Sequence, residues 1–207
     1  MQNNIYFREI KSSDYQELET LIRETWNYDS FCCDKTASRL AKLYLMSCLS
    51  NQTYTCVAIK DEKPVGIIMG KNEKKFRYKL KFYFQQMISI ISLSCTKEGR
   101  RTLKLFSGFH TIDKDLLVES GESFDGELAF FAVAGNQRGT GIGKELFNRL
   151  LSYMKSQDIK SFYLYTDSTC NYGFYEHQGM KRLANKIFSF NKNDKIDFFL
   201  YSYHFDQ

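Results

Sequence analysis

Gly139, Gly141 and Gly143, at every second position between Arg138 and Lys144, are the residues of this 207-residue chain best suited to holding an anion. Glycine leaves no side chain where a ligand's oxygens must approach the backbone. A helix that begins there leaves N–H groups without intrahelical partners at the positive end of its dipole. The apolar run Leu128–Val133 leads into this turn and an amphipathic spacing follows it, so the pattern reads strand, turn, helix. The glycines are spaced G-x-G-x-G. A dinucleotide site asks for G-x-G-x-x-G and a P-loop for a final Gly-Lys-Ser/Thr, so both fit less well. Further on, the strand-like Ser161–Thr166 precedes Asn171-Tyr172-Gly173-Phe174-Tyr175-Glu176-His177-Gln178-Gly179-Met180.

These two motifs, in this order, resemble the GCN5-related N-acetyltransferase family. Its pyrophosphate loop, Arg/Gln-x-x-Gly-x-Gly/Ala, is matched by Arg138-Gly139-Thr140-Gly141-Ile142-Gly143, and its Phe-Tyr-Glu-x-x-Gly run by Phe174 to Gly179. The resemblance implies acetyl-CoA as co-substrate and direct transfer of its acetyl group to a primary amine. It implies pyrophosphate binding by Arg138, Gly139, Thr140, Gly141, Ile142, Gly143 and Lys144, and pantetheine pairing with the backbone of Phe131 and Val133. Tyr175 falls at the family's general-acid position. Asn171 matches an asparagine that bonds the cofactor arm, although a helix cap explains it equally well.

An attacking amine with a pKa near 10.4 is protonated at neutrality and needs a proton acceptor. Glu127 is the candidate: strand alternation puts Glu127, Ala129, Phe131 and Val133 on one face, and members of the family often carry a carboxylate at this strand's start. A solvated strand-end glutamate is the plainer alternative. Cys170, with only His177 near it in sequence, reads as a packed thiol rather than an acetyl carrier. Two other functions stay open: an acyl-CoA-binding sensor that transfers nothing, and an acetyltransferase of a ribosome- or tRNA-associated target.

The resemblance also implies a mixed α/β fold: a mostly antiparallel, partly split, twisted sheet of about seven strands flanked by helices. Residues 1–207 are read as one domain. The family joins its third and fourth strands by a short loop, whereas this chain places residues 71–124 there, which loosens any transfer of substrate identity. Within that stretch Phe76, Tyr78, Leu80, Phe82 and Phe84 alternate like a strand, while Leu80, Phe84, Met87 and Ile91 repeat like a helix. The longer repeat predicts a helix over Lys74–Leu93, then shorter helices over Glu98–Phe109 and Lys114–Glu119.

Elsewhere the pattern predicts a strand over Tyr6–Ile10, a helix start at Ser12–Asp14, and a helix over Lys35–Leu49. It predicts a hairpin of Tyr54–Ile59 and Val65–Met69 around Asp61–Pro64. Then come the strand Glu127–Val133, the helix Gly141–Ser156, the strand Phe162–Thr166, the helix Asn171–His177, and strands over Lys181–Phe190 and Ile196–His204 joined by Asn191–Asp194.

Composition narrows the partners. Six cysteines show no C-x-x-C pair and no Cys/His ligand spacing, so no metal is expected and reduced, buried thiols in a cytoplasmic protein account for them. The polar start and the absence of a long apolar run predict neither a secretion signal nor a membrane partner. Net charge is +5, unevenly spread: ten Lys/Arg against two acids from Lys71 to Lys104, then one lysine against six acids from Leu105 to Glu127. Such runs read first as solvated faces, and nucleic acid is an unlikely partner because the interleaved aromatics fit a core as well. The acidic run Glu119, Glu122, Asp125 and Glu127 is expected to gather at the mouth of the fourth strand and favour a cationic acceptor, whether a small molecule or a protein amine. The aromatic final strands offer an edge for a possible homodimer.

Overall fold

The computed structural model describes residues 5–189 and 195–205. In chain order these form β1 Ile5–Arg8, α1 Tyr15–Thr25, α2 Asp34–Ser50, β2 Tyr54–Lys60, β3 Lys63–Asn72, α3 Leu80–Ser94, α4 Lys97–Ser120, β4 Gly126–Val133, α5 Ile142–Ser156, β5 Ser161–Asp167, α6 Gly173–His177, β6 Lys181–Ser189 and β7 Lys195–His204. The seven strands make one sheet in the order β1-β2-β3-β4-β5-β7-β6. Every neighbouring pair is antiparallel except β4–β5, which is parallel. This is the mixed α/β architecture expected, with two helices between β3 and β4.

Local chemistry sets the element ends. Asp14 accepts from the Lys11 backbone N–H at 2.7 Å and from Arg8 at 2.6 and 2.8 Å, tying β1 to the start of α1. The β2–β3 hairpin is tighter than the expected four-residue turn: Asp61 and Glu62 alone make it, with φ of 49° and 62°, the pair of positive values that a two-residue hairpin of the right twist requires. Pro64 consequently lies within β3. The predicted turn Asn191–Asp194 lies outside the described residues.

Each face of the sheet carries its own core. Helices α1 and α2 cover Val57, Ile59, Ile67, Met69, Phe130 and Ala132 on one face. On the other, α5 buries Leu146, Phe147, Leu150 and Met154 against Ile68, Leu128, Phe162 and Leu164. A side chain at Gly70 would collide with Leu150 Cδ1, so this glycine lets α5 lie close to β3. A third cluster joins Leu116 of α4 to Tyr163, Phe198 and Leu200 of β5 and β7, on the α2 side of the sheet.

The region between β3 and β4 departs from expectation. Residues 76–79 take no regular structure and α3 starts only at Leu80. The two short helices predicted after it are one 24-residue helix, α4. Its inward spacing, Thr102, Phe106, Phe109, Ile112 and Leu116, continues at helical period from the first of these predicted helices into the second. Thr96 Oγ1 caps its start by accepting from Gly99 N at 3.0 Å, and Gly121 ends it at φ 65°.

Candidate active site

Strands β4 and β5 pair at only two positions, Gly126 with Phe162 and Glu127 with Tyr163, and then diverge. Past that point their facing backbone groups are not used by each other, and the gap opens toward the turn ahead of α5. A bulge sits where this divergence begins: Met69 pairs with Phe130 and Gly70 with Leu128, leaving Ala129 without a partner.

The bulge corrects one expectation. Uninterrupted alternation would set Glu127 on the face of Phe131 and Val133. The extra residue reverses the sides, so Leu128, Phe131 and Val133 face α5 while Phe130 and Ala132 face α1 and α2. Glu127 falls on the α2 side, where its Oε2 accepts from Asn51 Nδ2 at 3.0 Å and lies 4.0 Å from Lys71 Nζ. Burial raises the Glu127 carboxyl above the ordinary carboxylate range, and Asn51 and Lys71 only partly offset this. It is no solvated strand-end residue.

On the α5 side, Gly139 and Gly141 have φ of 77° and 88°, a region costly for any other residue. A side chain built on either would meet nothing within 4 Å, so the cradle is open as well as flexible in conformation. The first intrahelical bond of α5 is from Glu145 N to Gly141 O at 3.0 Å, which leaves the N–H groups of Ile142, Gly143 and Lys144 facing the turn. Thr140 Oγ1 is turned back to Gln137 O at 2.7 Å, and Arg138 and Lys144 are exposed. The residues present therefore fit a pyrophosphate: orphan donors, a helix N-terminus and two cations.

Tyr175, on α6, is buried against Phe131 of β4, with ring centroids 6.4 Å apart, and beside Phe174 and Tyr201. Burial chiefly, with Cys170 and Asp167 adding, holds its phenol well above the usual range, so it stays protonated at neutral pH. Its hydroxyl has no hydrogen-bond partner among the described residues. Asn171 departs from the capping alternative: α6 starts at Gly173, and Asn171 is exposed with no capping bond from its side chain. Burial and Asp167 raise the Cys170 thiol, keeping it neutral, while His177 Nδ1 is engaged by Gly173 O at 2.6 Å. No thiolate–imidazole pair forms. The six cysteines are all free, but Cys33 and Cys95 are exposed rather than buried.

The acidic run does not converge on the strand mouth. Glu119 pairs with Lys186 at 2.9 Å, Glu122 with His204 at 3.6 Å, and Asp125 with Lys74 at 2.8 Å. Glu127 alone of that run stays in the site, and Asp113 of α4 lies within electrostatic reach of it and of Asp167. Asp113 Oδ1 is sealed from solvent with no hydrogen-bond partner, and the carboxyl is pushed up to about 7, first by burial and then by the charges of Asp167 and Glu127. It is also within electrostatic reach of Tyr44 and Tyr165. No contact joins Glu127 to Tyr175 among the described residues. A signal existed in the sequence: Asp113 occupies an inward position of α4, between Phe109 and Leu116, where an acid is out of place.

A family model described as "Acetyltransferase (GNAT) family" matches residues 15–180. Among solved structures, an N-acetyltransferase from Staphylococcus aureus Mu50 is 13% identical, with 97% of this chain and 98% of that chain covered and a TM-score of 0.55. An aminoglycoside 6'-N-acetyltransferase complexed with coenzyme A is 16% identical, covers 96% of each chain and has a TM-score of 0.55. Arabidopsis thaliana NAA60 in complex with a bisubstrate analogue is 15% identical, covering 97% and 98%, with a TM-score of 0.56. At these identities the likeness is one of fold. A sequence search of curated proteins finds no match.

Proposed function

The chain belongs to the acetyltransferase (GNAT) family and is an acyltransferase that uses acetyl-CoA for N-acetylation; from that premise we propose that it transfers acetyl directly to a cationic primary amine, with Tyr175 as general acid. One domain carries this reading, with residues 71–124 as an insertion that supplies part of the acceptor site. The observation that carries it is the divergence of β4 from β5 after Glu127, with Tyr175 packed on Phe131 beside the gap.

Acetyl-CoA supplies an activated thioester. The pyrophosphate is held by the N–H groups at Gly139 to Lys144 with Arg138 and Lys144 alongside, and the pantetheine arm by the backbone of Phe131 and Val133 on the side that β5 leaves unpaired, where Arg138 Nε donates to Val133 O at 3.4 Å; Asn171 would bond that arm. The acceptor ammonium gives up a proton to Glu127, directly or through water. Its raised carboxyl makes it a better base than an ordinary glutamate near neutral pH. The amine nitrogen then forms the N–C bond as the C–S bond breaks. The departing sulfur takes the Tyr175 proton, the second amine proton returns to the Tyr175 phenolate through solvent, and Glu127 gives its own proton to solvent. Asp113 and Asp167 favour an acceptor that brings positive charge, because an ammonium relieves the repulsion among these carboxylates.

Tyr175→Phe keeps the ring packing and removes only the hydroxyl. Turnover, read as free thiol released from acetyl-CoA across a panel of amines, should fall by roughly 10²–10⁴ with cofactor affinity unchanged. Full turnover in this variant, with chemistry rate-limiting, would reject Tyr175. A panel in which neutral and acidic acceptors outperform cationic ones would reject the acceptor class.

A further inference from the structure

Helix α3 is anchored by Leu93, buried in the core, and Phe82, packed on it, but the rest of the helix is inside out. Toward α2 it turns polar side chains: Gln86 Nε2 donates to Ser50 Oγ at 2.8 Å and to Met46 O at 3.3 Å, and Ser89 is buried beside it. Its opposite stripe, Leu80, Phe84, Met87, Ile88 and Ile91, is 53–78% exposed. Twelve large apolar side chains are exposed among the described residues, and eight of them lie between Tyr78 and Ile91. A single exposed leucine needs no explanation, but a contiguous apolar face on one helix marks a surface that something covers.

The charge around this stripe identifies the covering partner. Arg77 and Lys81 flank its start, while Lys97, Arg100 and Arg101 stand exposed at the start of α4, where Arg100 Nη1 donates to Ser94 O at 2.7 Å at the end of α3. The two acids of this region do not offset them. Glu73 is engaged by Lys71 at 2.9 Å, and Glu98 is turned inward to the Cys33 N–H at 3.1 Å and to Thr36. The face therefore pairs apolar side chains with uncompensated cations.

We propose that α3 docks this protein flat on an anionic lipid bilayer, with Leu80, Phe84, Met87, Ile88 and Ile91 among the upper acyl chains and the basic residues against the headgroups. Both halves of the face are satisfied at once by such a surface. The helix cannot cross it: 15 residues rise about 22 Å, short of the hydrocarbon core, and no helix of the described residues is long and apolar enough to span a membrane. A second copy of the chain fits poorly, since a two-fold contact would set each cluster of cations against its own image. Nucleic acid would take the cations and Tyr78 but leave an aliphatic stripe that neither stacks on bases nor binds phosphate. The inference stands apart from the transfer chemistry above.

The test is co-sedimentation of the full chain with vesicles of phosphatidylcholine alone and of phosphatidylcholine with phosphatidylserine. Binding should strongly favour the serine-containing vesicles and weaken with salt. Phe84→Glu with Ile88→Glu, both at exposed positions, should lower partitioning at least about tenfold while the melting temperature and coenzyme A affinity stay unchanged. Arg77→Gln with Lys81→Gln should lower binding and flatten its salt dependence. Equal sedimentation with both vesicle types, or unimpaired binding by the double glutamate variant, overturns the proposal. So does a concentration-dependent dimer that the glutamate variant dissolves, or polynucleotide binding that only the glutamine variant loses, if either occurs without vesicle binding.

Discussion

Helices α3 and α5 are both 15 residues long, α3 packed on α2 and α4 and α5 on β2, β3 and β4, yet they expose opposite kinds of side chain. Helix α5 buries Ile142, Leu146, Phe147, Leu150 and Met154 and gives Lys144, Asn148 and Arg149 to solvent. Helix α3 buries Leu93 but gives most of its aliphatic side chains to solvent, and turns Gln86 and Ser89 to the protein. The first arrangement converts apolar area into stability, leaving only the helix start free for a ligand. The second forgoes that gain, which a fold tolerates when the exposed face serves an encounter with something else.

The sharpest way to break this contrast is to truncate a phenylalanine on each helix. Phe147, wholly buried, should cost about 3–5 kcal/mol as Phe147→Ala. Phe84→Ala on α3 should stay within about 0.5 kcal/mol, the range of an unremarkable surface change. Urea denaturation of both variants measures the two values. Comparable losses would mean that α3 packs against the protein in solution and that its stripe is not free.

A smaller effect is expected at the start of α5. Gly141→Val forces a branched side chain into φ 88° and into the open cradle, and should weaken coenzyme A binding at least tenfold, about 1.4 kcal/mol, by titration calorimetry. Undiminished affinity in a folded variant would separate the glycine turn from the cofactor and leave α5 a purely structural helix.

The same contrast explains what the sequence made legible. The turn at Arg138–Lys144 and the run Phe174–Gly179 are constrained by backbone geometry and ligand approach, so residue type betrays position. The mostly antiparallel, partly split sheet of seven strands followed from the resemblance they carry. The bulge at Ala129 carries no such mark, because any small residue can bulge, and it moved Glu127 to the other face. Helix α3 misled for a physical reason as well: periodicity tells which side chains share a face but not which face turns inward. The stripe Leu80, Phe84, Met87 and Ile91 was correct as a stripe. The pairings of Glu119, Glu122 and Asp125 depend on Lys186, His204 and Lys74, distant in sequence, which no local pattern reveals.

The smallest effect concerns whether the helical pair only displays a surface or also works on the site, and it turns on Asp113. Its carboxyl titrates at about 7 when folded against 3.8 for the ordinary group, because burial and the charges of Asp167 and Glu127 oppose ionisation. The folded protein thus holds a proton that the unfolded chain has released between about pH 4 and 7. Stability falls as pH rises through that window, and the penalty is complete above 7. Asp113→Asn removes the titration, so variant and wild type should be equally stable near pH 4. The variant should become more stable by on the order of 1 kcal/mol at pH 8, the full shift being discounted because water reaches part of the side chain. Thermal melts across pH check this. The same substitution should raise the KM for a cationic amine above pH 7 and leave it little changed at pH 5.5, where Asp113 is already neutral. A variant that gains stability at pH 8 without any change in KM would confine Asp113 to the packing of α4; one that shows neither change would mean that its charge is already compensated in the folded protein.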